Sequence, residues 1–348
     1  MRNRMYRRIA ALASALFMLA TLFAANPARA AHTTVLECGA IVTTSIVLGA
    51  DIGPCGDDLS GETGHGVNGH GLVVRGSNIT IDLNGYTIFG HGGIEMVAHQ
   101  AAGIKVDQQD NVTIFSSQPG GTIRDFFHGV WILGGSGNQV GGLNILDNND
   151  GPPAGGGNGI VLQNAVNSKV IDNIVDRSGG FGGISIFNDR RVPPCCPQGA
   201  ANNLIRGNTV TNANNRAGTV GLSIEAGSGH VIEDNTVAGS ASDGIRLSTT
   251  VSSTRVRNNE VRTSGRDGIH LQENLVTGAS ADRNLVQGNQ SGRNTRDGIH
   301  VEGEHNRILG NTALQNGNID LVDTNVACDM NTWSGNIFGT ADPACAGS

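Results

Sequence analysis

His270 and His300 each close an Asp-Gly-Ile-His tetrapeptide, at 267–270 and 297–300, and Arg246 closes the related Asp-Gly-Ile-Arg at 243–246. Two places further on stand Ser248, Gln272 and Glu302, with Glu225 at the same place in an earlier copy. Three chemistries suit this set. A polysaccharide lyase needs a base near a sugar C5 and a cation on the adjacent carboxylate. His270 or His300 would be that base, since imidazole titrates near neutrality, and Arg246 would grip the carboxylate with two prongs. A glycosidase needs two carboxyl groups across the bond. Asp267 and Asp297 would lie about 5 Å apart if successive copies stacked in register, a spacing that suits retention. Asp243 and Asp297 would be near 10 Å apart, at or just beyond the long end for inversion. A metal site would join His270 and His300 to a neighbouring Asp. In either enzyme, Asp243, Glu225, Glu302 and Gln272 would contact substrate. A plainer reading stands beside these: Asp before Gly is a favoured turn residue at a strand entrance, and a solvent-facing strand needs polar side chains.

Whether these residues meet depends on the segments that carry them. One motif is Gly, aliphatic, any residue, aliphatic. It runs Gly103-Ile104-Lys105-Val106, Gly129-Val130-Trp131-Ile132, Gly159-Ile160-Val161-Leu162 and Gly183-Ile184-Ser185-Ile186. It continues through Gly221, Gly244, Gly268 and Gly298, with Asn318-Ile319-Asp320-Leu321 as a degraded copy. Alternation is the period of a strand: the aliphatics point inward and the residue between them outward. A second motif follows each of the later copies. An aliphatic residue precedes an Asn by three places, as in Val170…Asn173, Ile205…Asn208, Ile232…Asn235, Val256…Asn259, Val286…Asn289, Ile308…Asn311 and Trp333…Asn336. A pair of motifs makes one coil of about 20 to 38 residues, a solenoid period.

Stacking such coils about 4.8 Å apart puts like residues in vertical rows. The Asn row then becomes an internal ladder, each amide bonding the next amide and the backbone beside it. Outward rows follow. The central one reads Ser223, Arg246, His270, His300, Asp320, and the next Glu225, Ser248, Gln272, Glu302, Val322. Earlier coils place Val161, Trp131 and Lys105 in the central row, so the ionisable face belongs to one half of the stack. Lys105 is one of only two lysines and an alternative base. Six-residue left-handed repeats, Gly-Gly-x-Gly-x-Asp calcium coils and leucine-rich repeats are excluded because their periods are absent.

Residues 1–30 read as a secretory signal peptide: a basic front, an apolar run from Ile9 to Ala25, and Ala28-Arg29-Ala30 before the cleavage point. Its loss takes five Arg from 23 basic residues and leaves 18 against 30 acidic ones, a net charge near −12. That argues against a nucleic-acid partner. No later stretch is apolar enough to span a bilayer. Export implies an oxidising compartment, so the six Cys are expected in disulfides, with fifteen pairings open. Pairing of neighbours, Cys38 with Cys55 and Cys328 with Cys345, would staple the two ends. Cys195-Cys196 lies in a Pro-rich insertion. Segments 31–70 and 326–348 are expected to cap a solenoid spanning 71–325, and 89–101, 150–157 and 188–200 to protrude as loops. His65 with His70, and His91 with His99, are weaker metal candidates.

Leu83-Asn84-Gly85-Tyr86-Thr87-Ile88, the Asp-Gly-Ile-His copies and the Asn ladder together resemble the right-handed β-helix repeat family of the pectate-lyase-like superfold, which includes NosD-type and sugar-hydrolase repeat domains. The resemblance covers roughly residues 70–340. It implies an all-β, single-stranded, right-handed parallel β-helix with capped ends. The signature residues of pectate lyases, polygalacturonases and alginate epimerases are not found, so no catalytic residue carries over. The expected function is a secreted or periplasmic, monomeric protein that acts on or binds an extracellular polysaccharide as a lyase or hydrolase. A non-catalytic carbohydrate-binding scaffold and a NosD-like periplasmic accessory role are the alternatives. No cofactor is required by the sequence, and a divalent cation such as calcium is the one it would admit.

Overall fold

The computed structural model describes residues 33–56, 69–92, 101–148, 157–189, 199–213, 217–274, 279–325, 328 and 330–347. A typical coil takes three short strands: His128–Leu133, Gln139–Gly141 and Asn144–Leu146. Each pairs in parallel with its counterpart one coil above and one below. The result is two 12-stranded sheets and one 11-stranded sheet wrapped around a single core. The chain from 33 onward is thus a parallel β-helix.

Local sequence explains the shape of each coil. Between the second and third strands only two residues turn the chain. The first adopts a left-handed conformation, as in Asp172 (φ 55°), Gly207 (φ 67°), Asp234 (φ 56°) and Asn258 (φ 55°). Gly, Asn and Asp tolerate that region best. The second turn residue is the ladder Asn. Its Nδ2 reaches Oδ1 of the next coil's Asn at 3.0 Å (173 to 208), 3.0 Å (208 to 235), 2.9 Å (235 to 259), 2.9 Å (259 to 289), 2.9 Å (289 to 311) and 3.0 Å (311 to 336). The same Oδ1 also accepts a backbone N–H, as from Asn208 to Asn235 at 2.9 Å. Polar groups hidden in a turn of the core are thereby satisfied. The aliphatic pairs point inward as expected, and Val130, Ile132, Ile160, Leu162, Ile245 and Leu247 are fully buried.

A second buried row was not legible in the motif. It runs through Asn138, Ser168, Asn203, His230, Thr254, Asn284 and Asn306. Asn203 Oδ1 accepts the Ser168 N–H at 2.9 Å, and His230 Nδ1 accepts the Asn203 N–H at 3.2 Å. Changing residue types hide this row from a sequence search.

The segments 31–70 and 326–348 contribute strands of their own. Ala40–Val42, Ile46–Leu48 and Ile52–Cys55 enter the three sheets at one end, and Thr332–Ser334, Ile337–Phe338 and Ala341–Asp342 at the other. Disulfides join Cys38 to Cys55 and Cys328 to Cys345, each across 17 residues. Among the described residues no helix is long and apolar enough to cross a membrane. The expected signal peptide at 1–30, Cys195, Cys196, His65 and His99 lie outside the described residues, as do most of 89–101, 150–157 and 188–200. His70 is buried, and its Nδ1 accepts the Ala102 N–H at 2.9 Å.

One register expectation is corrected. The degraded last copy slips by two residues: Ile299 pairs with Leu321 and His300 with Val322. Val322, not Asp320, therefore continues the central row, and Thr324 rather than Val322 stands below Glu302. With Asn in place of the motif Gly, the last copy aligns on Leu321 and Asp323 instead. Asp320 turns to local work, accepting from Asn316 Nδ2 at 2.8 Å and from the Gly339 N–H at 2.8 Å.

Candidate functional site

The sheet built from the Gly-aliphatic motif carries the candidate residues on its outer face. Lys105, Trp131, Val161, Ser185, Ser223, Arg246, His270 and His300 pair in unbroken register, one per coil. Five coil steps, about 24 Å, separate Trp131 from His270.

The acid–imidazole cluster sits where expected but is not an open polar face. His270 is 2% exposed and His300 8%, while Asp243 and Asp267 are fully buried and Asp297 nearly so. In a parallel stack each outward side chain is covered above and below by its own row. Here Arg296 and Glu302 close over the rest, with side chains 37% and 27% exposed. The sheet brings together His270, His300, Asp243, Asp267, Asp297 and Glu302. Arg246 lies one coil away, where its Nη2 reaches Glu225 Oε1 at 3.5 Å and Ser223 Oγ at 3.3 Å. Gln272 is half-buried beside the cluster, and no hydrogen bond from its side chain links it to the other candidates.

The two rings tilt against one another at 5.0 Å between centroids. His270 Nδ1 lies 3.3 Å from Asp243 Oδ2 and His300 Nδ1 3.0 Å from Asp297 Oδ2. Their other nitrogens converge on one oxygen: Glu302 Oε1 is 3.4 Å from His270 Nε2 and 3.7 Å from His300 Nε2. Neither Nε2 is aligned for a hydrogen bond, although both are buried. Glu302 Oε2 is already engaged, accepting the Glu273 N–H at 2.9 Å. Arg296 binds both Asp267 (2.9 Å) and Asp297 (3.2 Å), and its Nη2 also comes within 2.7 Å of His300 Nδ1.

These contacts set the charges. Burial pushes the His270 imidazole down, but Asp243 and Glu302 outweigh it and raise its pKa to about 9. Burial raises Asp297 and Glu302, yet hydrogen bonds from His300 and Asn318 to the first, and the nearby imidazoles with the Glu273 N–H for the second, hold each at about 2. Asp267 is raised by burial, with the neighbouring Asp243 carboxylate adding to it. Asp243 is held low despite its burial, chiefly by His270.

The other half of the strip is aromatic, which the low aromatic content did not foretell. A cavity of about 350 Å³ is lined by Phe127, His128, Trp131, Phe181, Phe187 and, on the side of the charged cluster, Glu225. Phe181 is 55% exposed. Trp131 is held by Gln163 Oε1, which accepts its Nε1–H at 2.9 Å, and Lys105 Nζ lies 4.6 Å from its ring centre. Burial lowers the Lys105 pKa. Six coil steps, about 29 Å, separate Lys105 from His270.

Sequence reasoning missed Arg266 and Arg296, although the signal was present. The repeated unit is Arg-Asp-Gly-Ile-His, at 266–270 and 296–300. The Phe127, Phe181 and Phe187 group leaves no such signal, since each occurs in a single coil.

The family model of the right handed beta helix region matches residues 70–261, more than half of the chain, and the chain belongs to that family. Residues 196–341, which include the acid–imidazole cluster, also match the model described as periplasmic copper-binding protein (NosD). No curated protein matches the chain in sequence. Among solved structures, the Dettilon tailspike protein superposes with a TM-score of 0.51 at 15% identity over 88% of this chain and 59% of its own. The catalytic unit of a thermostable GH87 alpha-1,3-glucanase from Streptomyces thermodiastaticus gives 0.53 at 13% identity over 89% and 63%. The chain thus spans about three-fifths of the length of each. Identities this low establish a shared right-handed β-helix and nothing of activity.

Proposed function

We propose that this is an exported carbohydrate-active protein whose outer strip binds a polysaccharide lengthwise and cleaves it by elimination at the His270–His300–Glu302 cluster. The observation that carries this is collinearity. An aromatic pocket suited to sugar rings and an acid–imidazole cluster lie on one face of one sheet, about 24 Å apart. The exposed Phe181 and the partly buried Phe187, above a pocket wall that includes the buried Trp131, would stack on sugar rings. Arg246, with its side chain 21% exposed, would take a sugar carboxylate, and the cluster would supply the base for the C5 proton as the C4–O bond to the departing sugar breaks. Elimination is favoured over two-carboxylate hydrolysis because the Asp243, Asp267 and Asp297 carboxylates are buried and already bonded. Glu302 is the cluster carboxylate that a polymer can reach. The α-1,3-glucanase catalytic unit, which shares this fold, acts on a polysaccharide, and the two disulfides suit an extracellular or periplasmic setting.

That same burial of the aspartates favours a second reading, a binding scaffold without catalysis. A copper role of the NosD kind finds less support: the cluster holds no Cys or Met among the described residues, and those are the ligands that select Cu(I). The test is incubation with a panel of uronate and neutral polysaccharides, following ultraviolet absorbance and reducing ends. Unsaturated products lost in Glu302→Gln are expected. Reducing ends without unsaturation would replace elimination by hydrolysis, and binding without products would leave the scaffold.

A further inference from the structure

We propose that His270 Nε2, His300 Nε2 and Glu302 Oε1 hold a divalent transition-metal ion, of the zinc or iron(II) type, at the outer face of the sheet. Three observations carry it.

The first is the pattern of satisfied and unsatisfied atoms. Both imidazoles are buried, and both have an Nε2 without a hydrogen-bond partner, 3.4 and 3.7 Å from the same carboxylate oxygen. A buried polar nitrogen left so costs free energy, and two converging on one point call for an explanation.

The second is the state of the opposite ring nitrogens. Each Nδ1 lies against a carboxylate, Asp243 for His270 at 3.3 Å and Asp297 for His300 at 3.0 Å. A carboxylate on the far nitrogen fixes the proton there and frees Nε2 as a ligand, as in carboxylate–histidine–metal triads. Arg296 clamps Asp267 and Asp297 together from outside. Asp297 is for His300 what Asp243 is for His270, although Arg296 Nη2 also stands 2.7 Å from His300 Nδ1, so the proton is held on the far nitrogen most clearly at His270.

The third is distance. Ligands about 2.1 Å from a tetrahedral ion stand about 3.4 Å from one another. The two imidazole-to-carboxylate edges measure 3.4 and 3.7 Å, and all three ligand atoms lie within 4.8 Å of one another. Two further groupings, Asp243–Asp267–His270 and Asp267–Asp297–His300, are equally compact. Their oxygens, however, are mostly engaged by backbone N–H groups and Arg296, and Asp267 Oδ2, which accepts no hydrogen bond, is ion-paired to Arg296 Nη2 at 2.9 Å. They read as the support of the site rather than a second one.

The donor set narrows the ion. Two imidazoles and one carboxylate suit a transition metal such as zinc or iron(II), and imidazole suits copper(II) and nickel as well. Calcium takes six to eight oxygens, and this site offers it one carboxylate. Three protein ligands with Glu302 toward solvent leave a coordination position open, the arrangement of reactive rather than structural metal centres.

The inference rests on geometry and does not need the polysaccharide reading. The protein, freed of metal by a chelator and dialysed, is titrated with Co²⁺ followed by visible absorption, and with Zn²⁺ followed by calorimetry. One equivalent should bind, with intense ligand-field bands in the cobalt form. Glu302→Gln and the double variant His270→Ala/His300→Ala should abolish the bands. Asp243→Asn, which among the three ligand residues meets only His270 and only at its far nitrogen, should weaken affinity by about 10- to 100-fold. Absence of cobalt binding overturns the proposal, as does binding that survives both Glu302→Gln and the double variant. Glu302 is partly exposed, so its variant keeps the test valid if the double variant does not fold. A protein that binds cobalt but turns over no polymer leaves this inference standing and sinks the lyase. One that cleaves polymer without any cobalt site does the reverse.

Discussion

Acid should destabilise this protein through His230, a residue of the second buried row. Its ring is held neutral: Nδ1 accepts the Asn203 N–H at 3.2 Å, and Nε2 donates to the Ala226 carbonyl at 3.2 Å. A proton on Nδ1 would have to displace a buried backbone hydrogen bond. Burial lowers the pKa to about 4 in the folded chain, with the Ala226 contact only partly offsetting it, against about 6.5 in an unfolded chain. The unfolded state therefore binds more protons between these values. Stability is fully present above pH ~6.5 and is lost as pH falls toward 4. Linkage gives a loss of about 2 kcal/mol from His230 between pH 8 and pH 5. Asn occupies the same row position at 203 and 284, so His230→Asn should preserve the row through its own Oδ1 while removing the titration. The assay is urea unfolding of wild type and variant at pH 8 and pH 5, read by tryptophan fluorescence. The variant should lose about 2 kcal/mol less than wild type over that interval. Equal losses in the two proteins would refute the assignment of the acid sensitivity to this ring.

Further predictions follow from the ladders and staples. Asn235→Ala removes the acceptor of the Asn208 N–H and the donor to the Ile205 carbonyl. Two buried backbone groups left unpaired should cost about 2–6 kcal/mol, measurable by the same urea series, and a cost below 1 kcal/mol would contradict the ladder. Loss of the Cys38–Cys55 bridge in a double Ser variant should cost about 3 kcal/mol by chain entropy, seen as a lower unfolding midpoint under non-reducing conditions, with reducing agent lowering the variant's midpoint less than the wild type's because only Cys328–Cys345 remains to be cut.

Much of this architecture is written in the sequence because coil stacking repeats its demands. The Asn ladder could be read directly, since a buried two-residue turn asks for the same amide in every coil. The Gly-aliphatic motif named the strands of the site sheet and put Arg246, His270 and His300 in one row. The last coil was misread because Asn318 stands where the motif has Gly, and the strand pairs two residues further on. Burial was not legible either. His270 is outward-pointing by alternation, and its neighbours in the row together with Glu302 hide it. The second row was obscured because Ser168, His230 and Thr254 serve where Asn138 and Asn203 do. The aromatic pocket depends on residues such as Phe181 and Phe187 that belong to no repeat.

Crystals of the protein soaked with oligosaccharides from any polymer that it binds or cuts would test directly whether the strip from Trp131 to His300 is where a polymer chain is held. A sugar ring should be seated against Phe181 and Phe187 in the pocket beside Trp131, with the chain running along the sheet toward Arg246 and Glu302. A sugar held on either of the other two sheets, with this strip bare, would contradict it.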